Sequence, residues 1–261
     1  MPERIVGLAG SEYEAAICDL LPANKDRSTL VHTLINAYGL DSHCEPITVR
    51  QATKEELTKF HDSSYVNYVL RRRKSIDEGL PSNLRSILGK YQIGQDGSDS
   101  DSDQSDDSDQ ESDSNDTLLS YGLLYDCPLF PYMPQYITTV AGSTISAAKY
   151  LTKPRDEQIQ RVAINWNGGR HHAKRARASG FCYVNDIVLG ILELRKRYEK
   201  VMYIDLDLHH GDGVETAFKF SDKVLTFSIH RKDVGFFPGT GELDDVGKGK
   251  GSGYCFNVPI K

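Results

Sequence analysis

Three short apolar runs in the second half of this chain each stop at a cluster of polar residues rich in histidine. Arg161 to Trp166 leads into Asn167–His172, Val201 to Leu206 into Asp207–His210, and Lys223 to Ile229 into His230. Five of the eight histidines stand in these three places. Between the first two runs, Asn185 to Tyr198 carries Ile187, Val188, Ile191, Leu192 and Leu194 on one face, which reads as an amphipathic helix. A further run, Tyr254 to Pro259, is the last strand. Strands that alternate with helices predict an α/β fold with an open, mainly parallel sheet flanked by helices. In such sheets ligands bind beyond the carboxyl ends of the strands, where these polar clusters fall.

The first half fits the same architecture. Arg4 to Ala9 reads as a strand. Ser28 to Tyr38 reads as a helix capped by Ser28 and stopped at Gly39. Thr53-Lys-Glu-Glu56 has capping-box spacing, Ser64 to Leu70 continues as a second short helix, and Gln135 to Leu151 reads as a long helix ending before Pro154. Between these halves, Asp96 to Asp116 holds ten of the 37 acidic residues and no Lys or Arg. The 27 acidic residues that remain face 31 basic ones, so the acidity is local and says little about the partners of the folded part. Residues 95–117 have too little apolar surface to offset the entropy of ordering, and are expected to form a disordered Ser/Asp-rich insert in a single domain spanning 1–261. The insert reads as a solvated spacer rather than as a phosphorylated tract for basic partners.

Composition excludes several classes. No apolar run approaches the roughly 20 residues that span a bilayer, and Ile5 to Ala9 is too short for a signal-peptide core. Cys18, Cys44, Cys127, Cys182 and Cys255 are scattered and never form C-x-x-C, which argues against a disulfide framework or a cysteine-only zinc site. Arg71-Arg-Arg-Lys74 reads as a solvated helix end, and no motif for direct nucleic-acid binding is present.

The chemistry concentrates in four segments. In Tyr203-Ile-Asp205-Leu-Asp207-Leu-His209-His210-Gly-Asp212-Gly213, an extended backbone puts Asp205, Asp207 and His209 on one face. Carboxylate and imidazole fixed together at a strand end can bind Zn²⁺ or another divalent metal. In Asn165-Trp-Asn-Gly-Gly-Arg-His171-His172, two histidines follow a Gly-Gly turn, and a histidine held by a carboxylate such as Asp205 or Asp212 suits proton transfer near neutral pH. Ser179-Gly180-Phe181-Cys182-Tyr183 and Gly235-Phe236-Phe237-Pro238-Gly239 are aromatic, glycine-rich loops able to line a slot for an aliphatic chain.

Together these segments resemble the class I zinc-dependent histone deacetylases of the arginase–deacetylase fold, in patches from about Leu20 and closely from Tyr125 to Lys261. The Ser/Asp insert and the divergent first hundred residues suggest a fungal-like, lower-eukaryote member. The resemblance implies hydrolysis of acetyl-lysine on histones or other proteins, with release of acetate. It implies that Asp207 and His209 are zinc ligands, and that His171 with Asp205 and His172 with Asp212 form the catalytic pairs. Gly180, Phe181 and Phe237 look like tunnel walls, and Asp126 like a rim carboxylate that holds the substrate backbone. Family members also bind structural K⁺. By resemblance one monovalent-cation site takes Asp205, Asp207, His209, Ser228 and Ile229, and a second takes Phe218, Ser221, Val224 and Tyr254.

Two departures stand out. Leu21-Pro-Ala-Asn-Lys-Asp-Arg27 occupies the place of a His-Pro-Glu-type motif, and the family's third zinc ligand and its tyrosine lie beyond Lys261, so the chain is expected to be truncated at its C-terminus. Two alternatives follow: an impaired fragment acting only as an interaction module, or a deacetylase of small amides such as acetylpolyamines. The resemblance further implies acetylated histone tails or other acetylated proteins as partners, a corepressor-type complex, a role in chromatin and transcription, and a nuclear location with the cytoplasm as a second compartment. Neither a membrane nor direct nucleic-acid contact is expected.

Overall fold

The computed structural model describes residues 3–71, 113–154 and 159–261. The chain has the expected α/β class, and every strand pair is parallel. Strand β1 (Glu3–Ala9) lies between β2 (Glu45–Ile47) and β3 (Ile159–Asn165), while β5 (Val224–Arg231) lies between β4 (Val201–Asp205) and β6 (Cys255–Ile260). Hydrogen bonding thus divides the expected single sheet into two three-stranded ladders among the described residues. Ala9 pairs with Asn165, so β1 and β3 end level, whereas β4 ends at Asp205 opposite Ser228 and β5 runs on to Arg231.

Parallel strands need long crossovers, and the helices supply them. Among the described residues they are α1 (Glu12–Cys18), α2 (Arg27–Ala37), α3 (Lys54–Leu57), α4 (Ser63–Leu70), α5 (Asn115–Ser120), α6 (Met133–Thr152), α7 (Asp186–Leu194) and α8 (Asp212–Phe218). Helix α6 is the spine of the core. Its Met133, Tyr136, Ile137, Val140 and Ile145 pack with Ile17 of α1, Tyr65, Val66 and Val69 of α4, and Leu189 of α7. Burial of such apolar side chains contributes roughly 1.5–3 kcal/mol each, which makes this cluster the main source of stability. Four of the five cysteines are buried and all are free, as small hydrophobes in a core.

Several local readings hold and others change. The capping box at Thr53 forms, with Thr53 Oγ1 accepting from Glu56 N and Glu56 Oε2 accepting from Thr53 N. Ser28 is not a cap. It lies inside α2, and its hydroxyl bonds Asn167. The first turn of α2 is instead satisfied by Asp19, whose carboxylate accepts from Ser28 N at 2.7 Å and from Thr29 N at 3.1 Å. An acid from the end of the preceding helix does what a local cap would do. Residues 95–112 of the acidic insert and 72–74 of the basic run lie outside the described residues. Residues 113–117 are not irregular: Ser114 caps α5 by accepting from Thr117 N, and Asp113 accepts from Tyr68 Oη at 2.6 Å.

Among the described residues, one face of the β4–β5–β6 ladder is exposed at its outer strands. On β4, Met202 and Ile204 are exposed, as are Leu206 and Leu208 beyond it and Phe256, Val258 and Ile260 on β6. The intervening residues of β4 turn the other way and end in buried Asp205. Among the described residues no helix is long and apolar enough to cross a membrane.

Candidate active site

The period-two pattern at the end of β4 positions the site. Asp205 is buried, and Asp207 and His209 follow on the same side in the open loop. That loop is tied down locally: Asp205 Oδ1 accepts from Asp207 N at 3.0 Å, and Asp207 Oδ1 accepts from His209 N at 2.8 Å. The Tyr203 hydroxyl donates to Asp205 Oδ2 from one turn of pleat below.

The Gly-Gly turn after β3 brings His171 and His172 against these residues. His171 Nδ1 lies 2.7 Å from Asp205 Oδ2, and His172 Nδ1 lies 2.8 Å from Asp212 Oδ1. The two rings are 3.9 Å apart between centroids. All four residues of these two dyads are buried. With each Nδ1 directed at a carboxylate, the tautomer is set and Nε2 remains for chemistry. The dyads are electrostatically unlike. For His171 burial pulls the pKa down, but the bond to Asp205 and the surrounding carboxylates outweigh it, so the net shift is upward. For His172 burial dominates, the bond to Asp212 opposes it only in part, and the neighbouring His171 adds to the lowering. Asp205 and Asp212 resist the upward push of burial because His171, Tyr203, His172 and Lys174 hold their charged forms.

A cavity of 570 Å³ opens over these groups. It is lined by His171, His172, Asp207 and His209, together with all four residues expected to contact substrate, Asp126, Gly180, Phe181 and Phe237. Phe237 packs edge-on against His172 at 4.8 Å, and Phe236 stacks on His209 at 5.1 Å. Gly180 N donates to Asp126 Oδ2 at 2.8 Å, which joins the two loops at the mouth. Gly180 has φ +54, and a Cβ there would stand 2.4 Å from His172 Cδ2. Only glycine lets this loop close over the histidine.

The donor set can be tested against a metal. Asp207 Oδ1 and His209 Nδ1 are 3.2 Å apart. Two ligands of a tetrahedral Zn²⁺ with bonds near 2.05 Å sit about 3.3 Å apart, so this pair fits two corners of such a site. Among the described residues no group of three or more His, Cys, Asp or Glu is arranged to hold a metal.

The residues expected around monovalent cations fall in two places. Ser228 pairs with Asp205 across β4 and β5, with Ile229 next to it, and the Ser228 hydroxyl bonds His230 Nδ1 at 2.9 Å. Phe218 ends α8 and its carbonyl accepts from Ser221 N. Val224 opens β5, and Tyr254 precedes β6 with its carbonyl accepting from Thr226 N.

Two of the five clustered histidines do not belong to the cavity. His230 lies within β5 rather than in a loop after it, and its Nε2 bonds the Gly241 carbonyl at 3.0 Å. His210 is bonded to Thr240 Oγ1 and Glu215 Oε2 at 2.8 and 2.9 Å. Both are buried and use both ring nitrogens, so they brace the loops from below. Sequence reasoning passed over the residues that hold the His-His turn. Asp186 accepts from Gly169 N and Arg170 N, and Asn185 Nδ2 donates to the carbonyls of His171 and Ala173. Asn185 is also the N-cap of α7, and that capping position was the one available signal.

Comparison with known proteins agrees with this geometry. Residues 21–261 match the family described as "Histone deacetylase domain". The chain is 40% identical over 257 residues to "Histone deacetylase 8" of Xenopus tropicalis, covering 98% of this chain and 59% of that protein. It is 43% identical over 244 residues to "Histone deacetylase 8" of Danio rerio, covering 94% and 54% respectively. It is 35% identical over 300 residues to "Histone deacetylase HOS1" of Saccharomyces cerevisiae, covering 97% and 62%. The chain thus spans little more than half the length of the vertebrate relatives it matches. With the match running through β3 to β6 and every loop that builds the cavity, this chain belongs to the histone deacetylase family.

Proposed function

We propose that this chain carries the catalytic face of a Zn²⁺-dependent protein-lysine deacetylase, which hydrolyses the acetyl amide of acetyl-lysine on histones or other proteins. The observation that supports this most is the pair of buried His–Asp dyads side by side beneath a cavity with an aromatic mouth. Phe181 and Phe237 flank the lysyl stem, and Asp126 at the rim accepts from the substrate backbone. Asp207 and His209 would hold the Zn²⁺, which when bound supplies Lewis acidity to the acetyl carbonyl and to a water. His172, kept toward its neutral form, takes a proton at Nε2 as water adds to the carbonyl carbon. Asp212 accepts from His172 Nδ1 and balances the charge that forms. His171, kept toward its charged form by Asp205, gives a proton to the departing amine nitrogen. The C–N bond breaks, and acetate and a free lysine amine result.

The relatives carry the name histone deacetylase, which supports acetylated histones as substrates and partners. The nuclear, chromatin-regulating role within a corepressor-type assembly belongs to the same proposal and rests on the family resemblance alone. K⁺ would brace the loops at Asp205, Ser228 and Ile229, and at Phe218, Ser221, Val224 and Tyr254. A second reading, an interaction module with an incomplete metal site, is favoured by the exposed apolar strip on β4 and β6 and by the two-donor metal pair.

The test is acetate release from an acetyl-lysine peptide by the purified chain, with and without added Zn²⁺. Zinc-dependent turnover, lost by at least about a hundredfold in an Asp207→Ala, His209→Ala double variant, is the expected result. Full activity in the double variant would sink the site assignment. Stoichiometric zinc binding with no turnover would favour the second reading.

A further inference from the structure

The His171-His172 pair runs straight into a basic hairpin. Lys174-Arg175-Ala-Arg177 doubles back on itself, with Lys174 N donating to the Arg177 carbonyl at 2.9 Å. The turn between α3 and α4 holds this hairpin by its backbone. The Arg175 carbonyl accepts from Asp62 N at 2.9 Å and bonds His61 Nδ1 at 3.1 Å, while the Arg175 side chain is exposed. Helix α8 closes the third side. A Cβ on its Gly213 would stand 2.3 Å from the His171 carbonyl, so only glycine lets the helix come this close.

A cavity of 380 Å³ lies between these three elements and shares no lining residue with the substrate cavity. Its lining includes three cations, Lys59, Lys174 and Arg175, and no acid. A space of that volume is about 9 Å across, comparable with the Debye length, so the three charges repel one another. Lys174 is offset in part: its Nζ donates to Asp212 Oδ2 at 2.5 Å, and the other Asp212 oxygen holds His172. Lys59 and Arg175 are not offset. Among the described residues neither has a carboxylate within 4.0 Å. The acids on either side of Lys59 in sequence are committed elsewhere, Glu56 to Arg50 and Lys149, and Asp62 to the amide and hydroxyl of Ser64.

Two uncompensated cations and a third shared one, gathered around a recess, suit an anion with several acceptor oxygens. A phosphoryl group carries about −1.5 to −2 charges and three such oxygens. It takes a guanidinium fork on one edge and ammonium groups on the others. A carboxylate brings one charge and two oxygens, and would leave a cation unmet. The partly buried Phe60 ring adds an apolar wall for whatever the phosphoryl group is attached to. We propose that this recess is a phosphoryl-binding site, in which Arg175 and Lys59 grip the phosphoryl oxygens and Lys174 is shared between the ligand and Asp212. It touches the His172 dyad only through Lys174 and Asp212, so it binds its ligand without consuming it. A free phosphate ion and a small phosphate ester present the same charged end, and Phe60 separates them.

The test maps binding on the 261-residue chain by the shifts of its amide resonances. Inorganic phosphate, phenyl phosphate, acetate and chloride are titrated separately at equal ionic strength. Both phosphates should move the amides of Arg175, Gly213 and Thr216 and leave those of Phe181 and Phe237 in place. Tighter binding of phenyl phosphate assigns the site to an ester, and equal affinity assigns it to the free ion. Acetate should bind about tenfold or more weakly than phosphate. Replacing both Lys59→Gln and Arg175→Gln should lower phosphate affinity by about tenfold or more, with Lys174 left intact because it also holds Asp212. Arg175→Lys, which keeps the charge and loses the fork, should fall between, and it decides the matter if circular dichroism shows the double variant unfolded. Acetate or chloride matching phosphate overturns the proposal. So do shifts at Phe181 and Phe237 in place of Gly213 and Thr216, full phosphate affinity in a folded double variant, or full affinity in Arg175→Lys where the double variant is unfolded. Acetyl-lysine hydrolysis is no part of this readout, so failure of the deacetylase reading and failure of this site are told apart.

Discussion

His61 offers a direct test of how the His-His turn is held. It is only 2% exposed, and both ring nitrogens are engaged: Nδ1 bonds the Arg175 carbonyl at 3.1 Å, and Nε2 accepts from Asn185 N at 2.9 Å. That pattern requires the neutral ring, with the proton on Nδ1. Burial lowers its pKa from 6.5 to about 4, with the carbonyls of Arg175 and Lys174 opposing only in part. A group whose folded pKa is depressed contributes stability that is complete above its unfolded pKa. Here that contribution falls away as pH drops from 6.5 toward 4, and roughly 2.5 pH units correspond to about 3 kcal/mol. His61→Leu keeps most of the volume but leaves Asn185 N and the Arg175 carbonyl buried without partners, at about 2–4 kcal/mol in total. The variant should therefore be clearly weaker than the parent at pH 7 and close to it at pH 4. Urea unfolding followed by circular dichroism at both values measures the gap. A gap that stays constant, or widens in acid, would refute the assignment of a neutral, doubly bonded His61.

Other consequences are equally accessible. Asp212→Asn removes the carboxylate that orients His172, and acyl hydrolysis measured on an acetyl-lysine peptide should fall about 10²–10⁴-fold with zinc binding retained. Gly180→Ala places a methyl against His172 at a backbone angle that side chains resist, so peptide affinity should drop while the unfolding midpoint moves by a smaller proportion. Glu56 is held down to about 2, first by Arg50 and with help from Thr53 N and Lys149, so its contribution is present above pH 4.5 and lost as pH falls toward 2. Glu56→Gln should flatten that part of the acid unfolding curve, by about 1 kcal/mol given the half-exposed basic partners. Tyr65→Phe removes a buried bond to the Tyr183 carbonyl at 2.6 Å and should cost about 1 kcal/mol in a denaturant titration.

What could be read in advance follows the range of the interaction. Strand and helix order was legible because periodicity is local, and Asp205, Asp207 and His209 were legible as one group because a strand repeats every two residues. The residues themselves left Asp205 and Asp212 open as partners of the two histidines, and only the family resemblance implied which pairs with which. The cap of α2 was misread because its acceptor, Asp19, belongs to the end of another helix. By their spacing after the strands alone, apart from the family resemblance, His210 and His230 could not be told from His171 and His172. The difference lies in Glu215, Thr240, Ser228 and Gly241, which occupy their nitrogens only in three dimensions. Asp186 and His61 were missed for the same reason: their partners are 16 to 124 residues away.

The alternation at the end of β4 has a further consequence. Asp205 stands opposite Ser228, and Met202, Ile204, Leu206 and Leu208 occupy the reverse side. A slip of one residue in that pairing would exchange the two sides wholesale. The carboxylates and imidazole would leave the histidine pair, and a row of aliphatic groups would face it instead. No side chain need be altered for the chemistry to vanish. The assembly of the site is therefore indexed to a backbone ladder as much as to residue identity, and a chain paired out of step would be covalently intact yet without the His–Asp cluster.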